Sequence, residues 1–184
     1  MLTTKDIVRD PDPILRKKVA EIEEIDDETV SQLKEMREYL VNSQNEETAE
    51  KYGLRPGVGL AAPQIGLDKR MLAVYMEDEE GAAEHDYMLI NPKVKSHSVT
   101  ETYLPGGEGC LSVDEDVAGL VHRYQRIKIK ALDTEGKPVE IKAKGHLAVV
   151  LQHELDHLDG IMFYDRIDED MPMEPKIGAR PVEF

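Results

Sequence analysis

Apolar and polar positions alternate in one stretch of this chain and run together in others, and each pattern predicts an element. In "RIKIKALDTEGKPVEIKAKG" (126–145), Ile127, Ile129 and Ala131 alternate with polar residues, and Val139, Ile141 and Ala143 do so after a Gly-containing turn. A period of two predicts a β-hairpin with one face buried. "MLAVYM" (71–76) and "YMLINPKV" (87–94) predict two more strands, the second broken near Pro92, with "EDEEGAAEHD" between them as a surface loop. Val30, Leu33, Met36, Leu40 and Val41 share one stripe of a helix over 28–43, and Asp26, Asp27 and Glu28 lie where its dipole favours negative charge. Asp12-Pro13 predicts a cap and a short helix over 13–20. Residues 43–56 predict a loop with some helix, and "GVGLAAPQIG" (57–66) an irregular segment leading to a strand. "HLAVVLQHELDHLDG" (146–160) is apolar nearly all round, which predicts a buried helix stopped by Gly160. Three prolines predict an extended tail after 165. The fold class expected is α+β: mixed or antiparallel sheets packed around a central buried helix. One domain over 1–184, with 169–184 as its extended tail, fits the length of 184 residues.

Composition narrows this picture. Hydrophobic residues make up 40% but aromatics only 5%, and Trp is absent, so the core must rest on Ile, Leu, Val, Met and Ala. The net charge of −15 argues against general binding to DNA, RNA or an anionic membrane. Contact with a nucleic-acid machine would need a local basic patch or a protein surface. A single cysteine excludes an intrachain disulfide and fits a reducing compartment. "MLTTKDIVRDPDPILRKK" has no signal-like apolar region, and no apolar run approaches the ~20 residues that span a membrane. A cytoplasmic location is the simplest expectation.

The late helix carries candidate chemistry. "HELDH" (153–157) matches H-E-x-x-H. Residues four apart on a helix are neighbours, so His153 and His157 can aim two imidazoles at one metal ion. Glu154 sits to one side, where it can act on a water as general base. Burying two His and a Glu without partners is costly, and a metal supplies one. A catalytic site of the zinc type needs a third protein ligand. The longer protease motif would place a His at 163, but Phe163 stands there. Glu169 and Glu174 lie in the Pro-rich tail. Cys110, in "GGEGC" (106–110), is the strongest candidate, since thiolate suits Zn or Fe. Leu111 would then bring a backbone N–H beside the metal as an oxyanion donor. Glu108 could orient a basic residue, with Arg123 the candidate.

"GVGLAAPQ" (57–64), "EGCLS" (108–112) and "HELDH" (153–157) stand in order, unbroken, and together resemble the three motifs of peptide deformylases. The resemblance runs from about residue 5 to 168, and the polar insertion and non-helical C-terminus resemble the longer of the two main bacterial classes. It implies removal of the N-formyl group from the initiator methionine of new polypeptides. It implies one divalent metal ion on Cys110, His153 and His157, usually Fe(II), with Zn(II) or Ni(II) substituting. It gives Glu154 as general acid/base, and Gln64 and the Leu111 N–H as donors to the formyl oxygen. Gly59 would pair with the peptide like an added strand. Candidates for the methionine pocket are Val58, Leu111, Val149 and Val150. The expected partners are N-formylmethionyl nascent peptides, with a transient ribosome contact possible in principle and no DNA or membrane; a monomer is the default. Some family members dock on the ribosome through a basic C-terminal helix, whereas this tail is acidic and Pro-containing. His146 is expected to cap the helix, with contact to the pocket as the alternative, and His85, His97 and His122 to lie on the surface. Two rivals remain at this point. A metalloprotease would share Glu154 and both His but not need Cys110 or Gln64. A closed structural metal site would need a fourth ligand.

Overall fold

A computed structural model describes residues 1–184. Its helices are α1 (Asp27–Gln44), α2 (Glu46–Tyr52) and α3 (Gly145–Leu158). Its strands are β1 (Gly59–Ala61), β2 (Met71–Glu77), β3 (Ala83–His97), β4 (Glu101–Tyr103), β5 (Arg123–Tyr124), β6 (Arg126–Leu132), β7 (Pro138–Lys144) and β8 (Arg180–Pro181). Five strands form an antiparallel sheet in the order β1-β2-β3-β6-β7, and a small second sheet has the order β5-β4-β8. The β8 strand pairs parallel to β4, so the sheets are mixed and the class is α+β.

The two faces of the large sheet explain the sequence patterns. Leu72, Val74 and Met76 of β2 pack with Leu147, Ala148, Val150, Leu151, Leu155 and Leu158 of α3. Met71, Ala73 and Tyr75 of the same strand pack with Leu33, Met36, Tyr39 and Leu40 of α1. β2 is covered on both faces, which is why it reads as an unbroken apolar run. β6 and β7 are covered only by α3: Ile127, Ile129, Ala131, Ile141 and Ala143 join its cluster, and the alternate residues face outward. The hairpin therefore alternates.

Several expectations need correction. The helix expected over 13–20 is a single 3₁₀ turn, Pro13–Arg16, although Asp12 caps it as expected by accepting from the Ile14 N–H. β3 starts four residues before 87, taking residues from the expected loop, and Pro92 does not end it. Pro92 falls where the register with β6 shifts, between Ile90 and Lys93, a bulge that tolerates a residue without an N–H. His146 does not cap α3. The N-cap is Lys144, without a side-chain cap bond, and the His146 ring meets Phe184 edge-on at 5.1 Å. No helix is long and apolar enough to cross a membrane.

Candidate metal centre

The sequence from Leu147 to Leu158 buries every residue of α3 after its first turn begins, so the helix carries its polar residues into the interior. Their partners come from the loop 104–113, from Arg123 and Tyr124 of β5 and from Arg166. The ligand atoms of Cys110, His153 and His157 all lie within 4.8 Å of one another, and no other His, Cys, Asp or Glu joins the group. Cys110 Sγ is 3.3 Å from His157 Nε2. All three are buried.

Two of the three ligands are held by hydrogen bonds to neighbours, while His157 Nδ1 is buried without a partner. His153 Nδ1 pairs with Glu108 Oε1 at 2.8 Å, which turns Nε2 toward the group. Glu108 in turn takes two bonds of 2.8 Å from Arg123, so the expected Glu108–Arg123 pairing exists and is buried. Burial alone would push Glu108 up, but its bonds to Arg123 and His153 bring it down to about 2. Arg123 also donates to Asp156 at 2.8 Å, and Arg166 grips the same carboxylate at 2.6 and 2.8 Å. Sequence reading missed Asp156 and Arg166, since a carboxylate in the free x position of H-E-x-x-H gives no signal of its own. Burial and the neighbouring His153 hold His157 well below the ordinary imidazole value. For His153 burial acts downward too, but hydrogen bonds to Cys110 and Glu108 raise it to about 10. The two imidazoles thus shift in opposite directions, His153 toward the charged form and His157 toward the neutral one. A soft sulfur, two imidazoles and a carboxylate behind one imidazole suit a divalent transition-metal ion. Three ligands also leave the ion an open position, as catalysis requires.

Glu154 stands outside the ligand group. Burial raises it to about 7, and its Oε2 is buried without a hydrogen-bond partner. A Cβ placed on Gly59 would fall 2.8 Å from Glu154 Oε1, so β1 approaches the carboxylate as only glycine allows. Gln64 is fixed at both ends of its amide: Oε1 accepts from Ala61 N–H at 3.0 Å, and Nε2 donates to Ser112 Oγ at 3.2 Å and lies 3.5 Å from Cys110 Sγ. The Leu111 N–H has no acceptor within the chain. Arg9 donates to the Leu111 carbonyl and Arg55 to that of Val113, at 3.0 Å for the latter, which pins this loop from its far side.

Gln64, Cys110, His153 and Glu154 line one cleft of about 400 Å³ with Val58, Gly59, Leu111, Val149 and Val150; His146 lines it too, the alternative to a capping role, and His157 lies behind it. The structure also brings Gln44, Arg55 and Leu104 to its wall, none of which carried a sequence signal. Gln44 donates to the carbonyls of Gly57 and Tyr75, tying the end of α1 to the segment that forms the cleft edge. β1 is the edge strand of the large sheet. Phe163 stacks near His153, with ring centroids 6.0 Å apart, and Glu169 and Glu174 are exposed on the tail. A third ligand from downstream is therefore ruled out in this arrangement. Of the other histidines, His97 is exposed and stacks on Tyr124, His85 is half-buried on β3, and His122 is half-buried, accepting from the Lys176 N–H.

Comparison with known proteins gives the family. The sequence model of the Polypeptide deformylase family matches residues 4–172. A peptide deformylase of Staphylococcus epidermidis is 56% identical over 95% of this chain and 96% of its own. Peptide deformylase 2 of Bacillus subtilis is 51% identical over the full length of both chains. Among solved structures, a plant peptide deformylase superposes with a TM-score of 0.75 at 32% identity, covering 91% of this chain and 82% of its own. One from Legionella pneumophila gives 0.71 at 33% identity, covering 91% and 88%. With the family model spanning most of the sequence and relatives above half identical, the chain belongs to the polypeptide deformylase family.

Proposed function

We propose that this chain hydrolyses the formamide at the N-terminal methionine of new polypeptides, giving formate and a free amine, as a monomeric cytoplasmic enzyme of one domain. The observation that carries this reading is the unpartnered Glu154 carboxylate beside a three-ligand group, with two oxyanion donors on the same cleft. Cys110, His153 and His157 would hold one divalent ion. We assign Fe(II) as the native ion, with Zn(II) or Ni(II) able to replace it. Bound there, the ion supplies Lewis-acid polarisation of the formyl oxygen and a more acidic attacking water.

The protein's own residues do the rest. Val58, Leu111, Val149 and Val150 offer the methionine side chain an apolar wall. The free edge of β1 at Gly59 pairs with an extended peptide backbone. Glu154 takes a proton from the water as its oxygen attacks the formyl carbon. A carboxylate near pKa 7 is matched to accept and return a proton at neutral pH. Gln64 Nε2 and the Leu111 N–H donate to the formyl oxygen as it becomes negative. Glu154 then passes its proton to the leaving nitrogen as the C–N bond breaks. Water is thereby divided between formate and amine, and Glu154 returns to its starting state.

Release of formate from formyl-Met-Ala-Ser by the anaerobically purified, metallated protein tests this reading. No formate from a fully metallated sample overturns it. Gln64→Ala removes one oxyanion donor and should lower kcat about 10²–10³-fold. The effect is read as kcat against KM, because a residue that only bound substrate would move KM instead. Gly59→Ala should act differently. The added methyl displaces Glu154, whose neighbours are packed, and a shift of about 1 Å at a reacting group can cost about 10²-fold. Its bound metal should stay at wild-type level, and unchanged kinetics in Gly59→Ala would show that β1 does not set the position of Glu154.

A further inference from the structure

The face of the large sheet that α1 leaves uncovered is dominated by positive charge. Arg126, Lys128 and Lys130 project from β6, and Lys142 and Lys144 from β7, on the side opposite the core residues Ile127, Ile129, Ile141 and Ala143. Register places Arg126 directly across from Lys144, and Lys128 across from Lys142. Like charges opposite one another destabilise a sheet. One carboxylate, Glu140, offsets the strip by pairing with Lys95 at 2.9 Å and Lys128 at 3.8 Å. Lys130 lies across from Glu140 in the register, but neither it nor Arg126, Lys142 or Lys144 makes an ion pair within 4.0 Å. Lysine on β7 alone could be a guard on an edge strand. Here the strip extends inward to β6 and β3, which need no guard. The chain as a whole carries −15, so this concentration of free cations runs against its composition.

We propose that this strip binds the phosphate backbone of folded RNA. Adjacent strands are about 4.8 Å apart and alternate residues about 6.7 Å, so the cations form a flat grid that a phosphate chain can lie along. At the end of the strip Ser96 and Ser98 add hydroxyl groups beside Arg126 and Lys128. Cations interleaved with hydroxyls suit phosphate oxygens, which accept from both. A membrane would want an apolar wedge among the cations; the one strongly exposed apolar side chain nearby, Val99, lies past Ser98 at the strip's end and not between the cations. The acidic remainder of the protein does not cancel the attraction, because at physiological ionic strength charges beyond about 8 Å are largely screened. None of the strip's residues lines the active-site cleft, so an RNA-docked enzyme keeps its cleft open. The inference rests on the nascent-chain reading for its purpose, since such substrates emerge from an RNA-rich particle, but its binding test is independent.

The test is fluorescence anisotropy of a labelled RNA hairpin titrated with the metallated full-length protein. Four free cations predict a slope of log K against log salt between about −3 and −4, which is roughly a hundredfold loss from 50 to 200 mM. Replacing three of them, as Arg126→Ser with Lys142→Ser and Lys144→Ser, should reduce the slope by about 3 and weaken binding accordingly. A control with the same charge change elsewhere, Lys5→Ser with Lys18→Ser and Lys34→Ser, should bind like wild type. Equal losses in both triple variants, or no binding by wild type, overturn the proposal, as does equal or tighter binding to phosphatidylserine vesicles. Formate release from the free tripeptide should be unchanged in the strip variant. Should wild type release no formate, the catalytic reading fails while the RNA titration still reports on the strip.

Discussion

Glu154→Ala should lose about 10²–10⁴ in kcat while keeping its full complement of metal, the range expected for removing a positioned general acid/base. The two halves of this outcome come from different observations. Metal should be retained because Glu154 is outside the group formed by Cys110, His153 and His157. Activity should fall because no other side chain can do its work: Asp156, two residues on, is fully engaged by Arg123 and Arg166, and Glu108 by Arg123 and His153. The variant should also be no less stable than wild type. A buried carboxylate oxygen without a partner costs the folded state, and burial is what lifts Glu154 to about 7. Removing it gives that cost back, the usual sign of a group kept for function against stability. Glu154→Gln keeps the shape and should be as inactive as Glu154→Ala. Metal analysis, single-turnover kinetics and thermal unfolding together check the claim. A variant that keeps kcat within a few-fold of wild type would remove Glu154 from the mechanism, and one that loses its metal would make it a ligand.

How far this could be read from the sequence depends on where each residue's signal comes from. H-E-x-x-H is legible because helical geometry alone sets its two imidazoles side by side. The β6–β7 hairpin is legible because one covered face leaves a period of two. β3 is misread at both ends because it borders α1 at Arg37–Asp86 and β6 at a bulge, so its polar first residues are strand by pairing and not by propensity. The fold brings Gln64 and Cys110 together, but no spacing rule shows it, since 46 residues separate them and only the motif resemblance linked them. Asp156, Arg166, Arg55 and Gln44 stayed invisible for the same reason. Each acts through a long-range contact, and an isolated charged or amide residue reads as surface until its partner is known. The basic strip was hidden differently: every lysine in it looks like the solvated half of an alternating strand, and only the cross-strand register reveals that they meet.

Cys110→Ser should abolish tight metal binding and, with it, formate release. The sulfur lies 3.3 Å from His157 Nε2 and accepts from the Ser112 N–H at 3.4 Å and Gln64 Nε2 at 3.5 Å. A serine hydroxyl keeps its proton at neutral pH, so the substitution replaces a charged soft ligand by a neutral hard one. Loss of a group behind a ligand typically costs about 10–100-fold in metal affinity, and loss of the ligand itself should exceed that. The fold should survive, because the hydroxyl fits where the thiol was and can bond to the same donors. Metal content after dialysis against a weak chelator, with circular dichroism on the same sample, separates the two. The comparison also decides between mechanisms that share H-E-x-x-H. A protease drawing its third ligand from downstream would keep its metal in Cys110→Ser, but Phe163 fills that position with a ring stacked near His153, and Glu169 and Glu174 point to solvent. Full metal retention would therefore require a ligand that the arrangement does not offer, and would overturn both the Cys110 assignment and the deformylase mechanism built on it.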